Sequence, residues 1–258
     1  MLLSALAFSL SAAPALAGAS DWFETTGGAV RLLTMTEAGP EGALRGALEI
    51  RLEPGWKTYW QEPGESGVPP QISVADQKIV RDVDIHFPAP QRFDDGISQW
   101  AGYADSVVLP VTFEMADGST GAPIEADVFL GVCETICVPV QAKLFVTPAD
   151  AAGPLDMAKI DRAFGALPGT PDQGFQVVSV DETGDALRIT VDLPGDGPAD
   201  LFLAGHDGLM LAAPQFERTP TGGVFTARIL NRGKGETRGA DYTLTARDKA
   251  VSGVLPRE

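Results

Sequence analysis

Apolar residues alternate with polar ones along several segments of this chain of 258 residues. Residues 48–53, 124–130, 138–147 and 187–193 place apolar side chains at every second position. Successive side chains of a strand point to opposite faces of a sheet, so this period predicts strands with one buried face. Glycine (29 residues) and proline (20 residues) interrupt the chain at short intervals and indicate turns. The sequence therefore predicts an antiparallel all-β fold.

Turn-forming residues concentrate between the two groups of predicted strands. Pro148, Pro154, Pro168 and Pro171 lie in this interval. The interval predicts a linker over residues 149–174 with one short helix, for which residues 158, 163, 164 and 167 form the expected apolar stripe. We expect a β-sandwich over residues 20–148 and a smaller sandwich-like domain over residues 175–258.

The first seventeen residues have the pattern of a secretory signal peptide. An apolar run from Leu2 to Leu10 is followed by Ala15-Leu16-Ala17, which fits the small-x-small pattern of a cleavage site. Beyond residue 20 no apolar stretch is as long as a membrane helix. We expect residues 1–17 to be a signal peptide and the mature protein to work, without stable membrane insertion, in an oxidising compartment.

The chain is strongly acidic, with 35 acidic and 19 basic residues and a formal net charge of −16. Nucleic-acid binding requires a basic face that displaces counterions, and adhesion to anionic lipid requires basic clusters. The charge therefore argues against nucleic acid and anionic membrane surfaces as partners.

The only two cysteines, Cys133 and Cys137, are separated by three residues. In an extended strand their Cα atoms would lie about 13 Å apart, whereas a disulfide requires about 7 Å or less. A helix is opposed by Pro139 and by β-branched neighbours such as Thr135 and Ile136, so a strand–turn–strand hairpin is expected. A disulfide across so short a loop restricts the unfolded chain by only about 2 kcal/mol, which indicates chemistry rather than cross-linking.

The sequence around the pair offers no positive charge to stabilise a thiolate. Glu134 lies inside the loop, and no Lys, Arg or His is close in sequence. The spacing also differs from the two-residue spacing of the thioredoxin motif. An oxidised pair of this kind can still be attacked by a partner's thiolate through a mixed disulfide, which favours a relay component over an independent oxidant.

Several segments together resemble the amino-terminal periplasmic domain of the disulfide reductase DsbD, and most closely its ScsB-type variant. The likeness covers about residues 20 to 148. It is carried by these segments: Gly55-Trp56-Lys57-Thr58-Tyr59-Trp60, Pro63-Gly64-Glu65-Ser66-Gly67, Pro88-Ala89-Pro90-Gln91-Arg92-Phe93-Asp94-Asp95, Gly102-Tyr103 and Gly131-Val132-Cys133 to Cys137-Val138-Pro139.

The resemblance implies an immunoglobulin-like β-sandwich that carries a redox-active cysteine pair in the periplasm. It implies that a short loop with an aromatic residue caps the pair until a partner docks, and that the second cysteine, Cys137, contacts the partner. The cap and neighbouring residues that it suggests are Phe93, Asp94, Asp95, Trp100, Tyr103, Tyr59 and Glu134. Ordinary packing inside the sandwich is the alternative role for Phe93 and Tyr103.

The resemblance also implies redox partners. These are thioredoxin-like periplasmic proteins and a membrane electron transporter, which we expect to be a separate protein because the chain ends at Glu258 without such a domain. Copper tolerance, cytochrome c maturation and disulfide repair are the biological settings left open.

Three functions are compatible with the sequence. The first is a thiol–disulfide oxidoreductase component that needs no metal or organic cofactor. The second is a Cu(I)-binding protein, since two thiolates suit a soft metal, although two cysteines alone cannot complete a zinc site. The third is a non-catalytic β-sandwich interaction module with an inert disulfide.

Overall fold

The computed structural model describes residues 18–64, 67–94, 96, 99–148, 150, 153–233 and 239–256. The predicted signal peptide, residues 1–17, lies outside this range. The described residues form antiparallel strands and one α-helix, so the predicted all-β fold class is confirmed.

Strands of the first half form a two-sheet sandwich. They are β1 (Phe23–Thr25), β2 (Gly28–Thr34), β3 (Ala43–Leu52), β4 (Lys57–Gly64), β5 (Gln71–Val74), β6 (Val80–Ile85), β7 (Gln91–Asp94), β8 (Gln99–Tyr103), β9 (Val107–Met115), β10 (Ile124–Cys133) and β11 (Cys137–Val146). Sheet A has the strand order β1-β2-β3-β9-β6. Sheet B has the order β11-β10-β4-β8-β7, with β5 also paired to β10.

Alternating residues of the two sheets fill the space between them. Leu48 and Leu109 from sheet A, and Leu130 and Val132 from sheet B, belong to one buried cluster. Successive residues of β10 point to opposite faces, so Gly131 and Cys133, which alternate with Leu130 and Val132, lie on the outer face of sheet B. This alternation places the disulfide outside the main core.

The helix α1 (Pro154–Gly165) packs on the outer face of sheet A. Ile160 is its most buried residue and lies against Leu33 and Ala47. The predicted stripe included Ala163 and Phe164 correctly, but Ile160 was missed, Ala158 is exposed and residue 167 lies beyond the helix end. The helix predicted within a linker is therefore attached to the first sandwich.

The last third of the chain forms a second pair of sheets around its own buried cluster. Its strands are β12 (Gln176–Thr183), β13 (Ala186–Asp192), β14 (Ala199–Gly205), β15 (Leu209–Leu211), β16 (Gln215–Thr219), β17 (Gly222–Arg232), β18 (Ala240–Ala246) and β19 (Lys249–Val254). One sheet has the order β12-β13-β17-β15, with β16 also on β17, and the other has the order β14-β18-β19. Strand β14 of this second sandwich contacts β4 of the first.

Candidate functional site

The hairpin β10–β11 brings the two cysteines together. Cys133 is the last residue of β10 and Cys137 the first of β11, and they are paired across the ladder. Their Cα atoms lie 4.1 Å apart and their sulfurs form a disulfide. The hairpin predicted from Pro139 and the β-branched neighbours is thus confirmed.

The two sulfurs differ strongly in accessibility. Cys133 is only 1% exposed, whereas Cys137 lies exposed on the outermost strand of sheet B. The turn between them is also exposed: Glu134 lies in solvent and Ile136 is 70% exposed. A protein approaching this hairpin therefore meets Cys137 and an apolar side chain, while Cys133 is covered from the other side.

The Tyr59 side chain is in direct contact with both sulfurs. Its hydroxyl donates a hydrogen bond to Cys133 Sγ at 2.9 Å and lies 3.3 Å from Cys137 Sγ. Gly67 makes room for the Tyr59 ring, because a Cβ added at this position would collide with the ring at 2.7 Å. The absence of a side chain at Gly67 thus lets the ring lie where its hydroxyl reaches both sulfurs.

Two further aromatic rings extend this contact into a cover over Cys133. Trp100 meets Tyr59 edge-on, with ring centroids 5.8 Å apart, and Phe93 stacks on Trp100 at 3.9 Å. Tyr59, Trp100 and Cys133 form one buried cluster with Phe93 packed against it. We call Tyr59, Trp100 and Phe93 the aromatic cover. Such a cover keeps small thiols away from the sulfur beneath it.

Lys57 is a site residue that the sequence interpretation missed. It is paired with Cys133 across β4 and β10, so the two side chains share a face of sheet B. Its Nζ lies 4.3 Å from the centroid of the Trp100 ring. No cation is close to the cysteines in sequence, but the fold brings Lys57 to them from a neighbouring strand. Lys57 precedes Tyr59 by two positions on β4 and so shares its face, but the pairing of β4 with β10 is visible only in the structure.

The structure does not place the other suggested neighbours, Tyr103 and Asp94, in the aromatic cover. Tyr103 lies on the opposite face of sheet B, where its hydroxyl donates to the Pro88 carbonyl oxygen at 2.8 Å and burial raises the pKa of its phenol. The Asp94 carboxylate accepts hydrogen bonds from the Gly96 N–H and the Gln99 amide, which closes the β7–β8 turn. Asp95 lies outside the described residues.

Neither a metal cluster nor a membrane span occurs in the part of the chain that the structure describes. No three His, Cys, Asp or Glu residues of that part are grouped as metal ligands. Among the same residues, no helix has the length and apolar character that crossing a bilayer requires.

Comparisons with known proteins agree with this architecture. The family described as "Thiol:disulfide interchange protein DsbD, N-terminal" matches residues 29–149. The crystal structure of the N-terminal periplasmic domain of ScsB from Proteus mirabilis superposes with a TM-score of 0.78 at 21% sequence identity. The superposition covers 93% of this chain and 99% of that chain, so the shared fold includes both sandwiches. A comparison with curated protein sequences gives no match.

Proposed function

We propose that this chain is a periplasmic thiol–disulfide exchange protein that carries two electrons on Cys133 and Cys137, because residues 29–149 match the model of the DsbD amino-terminal family. The observation that supports it most is the asymmetry of the disulfide. One sulfur is exposed, and the other is buried beneath a hydroxyl that donates to it.

The exchange proceeds through the exposed sulfur. The thiolate of a reduced partner attacks Cys137 Sγ, and the Cys133–Cys137 bond breaks with its electron pair leaving on Cys133 Sγ. A second thiol of the partner then attacks the partner's own sulfur in the mixed disulfide and releases Cys137 as a thiolate. The partner leaves oxidised, and the two thiolates take up protons from water. The reverse sequence passes the two electrons to an oxidised client.

The groups around Cys133 favour its departure. The Tyr59 hydroxyl donates to the sulfur on which negative charge develops, and Lys57 supplies a positive charge on the same face. The Tyr59 hydroxyl already lies at the sulfur before the reaction, so it needs little rearrangement when charge forms.

Thioredoxin-like periplasmic proteins are the partners that we propose, with a separate membrane protein as the source of electrons. The exposed hairpin supports this proposal, since it presents Ile136 beside Cys137 on a sheet edge that a partner can reach. An apolar side chain next to the reacting sulfur suits docking of another protein better than access by a small thiol.

The proposed exchange needs no metal or organic cofactor, because the disulfide itself accepts the electrons. Addition of Cu(I) to the reduced protein, followed by gel filtration and metal analysis, tests the alternative of copper binding. Stoichiometric retention of copper that depends on both cysteines would favour that alternative.

A trapping experiment tests the proposed route. Oxidised protein is mixed with a bacterial thioredoxin whose resolving cysteine is replaced by serine, and the products are separated without reductant. We expect a mixed disulfide that peptide mass spectrometry assigns to Cys137. The double variant Cys133→Ser/Cys137→Ser controls for non-specific adducts. Absence of the adduct, or an adduct on Cys133, would contradict the proposal.

A further inference from the structure

The short hairpin β7–β8 presents different residues on its two faces. Phe93 is paired with Trp100, and Arg92 is paired with Ala101. Because neighbouring residues of a strand point to opposite faces, the Phe93–Trp100 pair lies over Cys133 while the Arg92–Ala101 pair points away from it. One hairpin thus supplies two members of the aromatic cover and a second, separate surface.

That second surface is bound to the second sandwich through Arg92. Its guanidinium donates from Nε to Asp200 Oδ2 at 2.9 Å and from Nη2 to Asp200 Oδ1 at 3.0 Å. Nη2 also donates to the carbonyl oxygen of Leu201 at 2.8 Å. The Arg92 and Asp200 side chains are only 21% and 30% exposed. A bidentate hydrogen bond of this kind fixes the orientation of the guanidinium relative to the carboxylate as well as their distance.

Apolar contacts of β14 surround this ion pair. The Phe202 ring lies beneath Arg92, with 4.6 Å between Cζ and the ring centroid, and it meets Trp60 of β4 at 5.9 Å. Phe202, Trp60 and Ala101 form one buried cluster. The reverse side of the hairpin is therefore packed against the second sandwich.

Few other contacts of the first sandwich restrain β7. It is four residues long, it is the last strand in the order of sheet B, and its ladder partner is β8 alone among the described strands. A short edge strand with one partner opens readily unless another element holds it. The element that holds it here is β14, through Asp200 and its neighbours.

We propose that the second sandwich controls access to Cys133, with Arg92 and Asp200 as positioning residues that hold the β7–β8 hairpin over this sulfur. The proposal deepens the proposed function and rests on it: the contact between the two sandwiches would confine exchange to Cys137. Neither Arg92 nor Asp200 acts on the sulfurs themselves.

Thiol alkylation in reduced single-cysteine variants tests this role at each sulfur separately. Cys137→Ser leaves Cys133 as the only thiol, and Cys133→Ser leaves Cys137. Arg92→Ala is added to each, and the rate of reaction with iodoacetamide is measured. We expect the rate at Cys133 to rise about tenfold, which corresponds to a loss of about 1.4 kcal/mol in holding the hairpin closed. The rate at Cys137 stays unchanged.

Two sets of variants separate positioning from general loosening. Asp200→Ala should raise the alkylation rate at Cys133 as much as Arg92→Ala does. The double variant should raise it little further, because both changes remove the same ion pair. Asp200→Asn provides the same comparison if Arg92→Ala does not fold. Arg31→Ala is the matched control, because Arg31 also forms a largely buried bridge, to Asp156, but lies on β2 of sheet A, whereas the hairpin belongs to sheet B.

Three results would overturn the proposal. The alkylation rate at Cys133 could stay unchanged in Arg92→Ala, it could rise equally at both thiols, or it could rise as much in Arg31→Ala. Alkylation requires no redox partner, so this test is separate from the trapping experiment. Absence of the thioredoxin adduct together with a selective rise at Cys133 would contradict the exchange function and leave the positioning role in place.

Discussion

The hydroxyl of Tyr59 contacts the buried sulfur of Cys133 directly. It lies 2.9 Å from Cys133 Sγ in a pocket that water hardly reaches, since Tyr59 is 3% exposed. Hydrogen bonds to charged acceptors are stronger than those to neutral ones, so this bond gains strength as Cys133 becomes a thiolate. Tyr59 therefore favours reduction beginning at Cys137.

Replacing Tyr59 by phenylalanine tests this role. Tyr59→Phe should lower the rate of reduction by dithiothreitol about tenfold, because a hydrogen bond to a charged group contributes about 1.5 kcal/mol or more. Stopped-flow measurement of reduction gives the rate. Tyr103→Phe is the matched control, since it removes a hydroxyl from the other face of sheet B and should leave the rate unchanged. Equal rates for Tyr59→Phe and the unmodified protein would argue against the role.

Lys57→Met keeps the length of the side chain and removes its charge. We expect slower reduction of the disulfide by about threefold to tenfold, because a nearby cation stabilises the thiolate that leaves. The difference from the unmodified protein should shrink at high salt. Lys78→Met, at an exposed position outside the site, is the control. A salt-independent rate in the unmodified protein would contradict an electrostatic contribution from Lys57.

Strand parity explains which site residues the sequence could and could not identify. The cysteine pair is evident from its spacing, and the resemblance suggested Phe93 and Trp100, which the structure brings together beside Cys133. It also suggested Tyr103, but Trp100 and Tyr103 are three apart on β8 and cannot share a face. Which strand lies beside β10 is a long-range property, so Lys57 could not be assigned without the fold.

At the level of elements, the helix α1 is held to sheet A by charge as well as by Ile160. Glu49 on β3 accepts hydrogen bonds from Arg31 and from Lys159 of the helix, and Arg31 also bridges to Asp156. Burial by itself raises the pKa of Glu49, but the hydrogen bonds from Lys159 and Arg31 and the positive charges of these two residues together hold the pKa below its ordinary value. The carboxylate is thus charged and paired at neutral pH.

The stability that Glu49 contributes should depend on pH. Because the pKa of Glu49 is lower in the folded state, its ionisation stabilises the fold fully at pH values above the unfolded pKa of about 4.3. This stabilisation is lost as the pH falls through the pKa of the folded state. Glu49→Gln should lower the melting temperature by about 3–6 °C at pH 7, for a loss of about 1–2 kcal/mol, and by progressively less below pH 4. Calorimetry of both proteins at pH 7 and at pH 3 measures the difference in melting temperature. Glu125→Gln, at an exposed pair, is the control. A difference that persists at pH 3 would contradict the ionic origin.

The elements themselves were predicted unevenly. Alternation identified the strands of the cysteine hairpin, because local period is enough to define a half-buried strand. The helix was predicted, but its apolar stripe omitted Ile160, although positions 160, 163 and 164 have the i, i+3, i+4 spacing of one helix face. Its attachment to sheet A depends on pairs such as Lys159 and Glu49, which lie far apart in sequence.

At the scale of the whole molecule, the disulfide contributes little to the stability of the chain. It closes a loop of five residues, so its loss should cost only about 2 kcal/mol. Cys133→Ser should therefore remain folded, with a melting temperature lower by about 4–8 °C, and should lose exchange completely. Circular dichroism and thermal melting measure the first part. An unfolded variant would indicate that the disulfide serves to staple the fold.

The two sandwiches are in contact beside the disulfide site. The ScsB domain from Proteus mirabilis has the same fold over 93% of this chain, although the sequence resemblance was confined to the first half. Only the structure shows that β14 reaches the hairpin of the aromatic cover, because the Arg92–Asp200 pair joins residues 108 positions apart. No local pattern could indicate that contact.

The reduction potential of the Cys133–Cys137 pair tests the exchange function most directly. Purified protein is equilibrated with glutathione or dithiothreitol buffers of known potential, and free thiols are counted. We predict a value between about −180 and −270 mV, the range of proteins that exchange disulfides. A value well below about −300 mV is typical of inert structural disulfides and would contradict the proposed function.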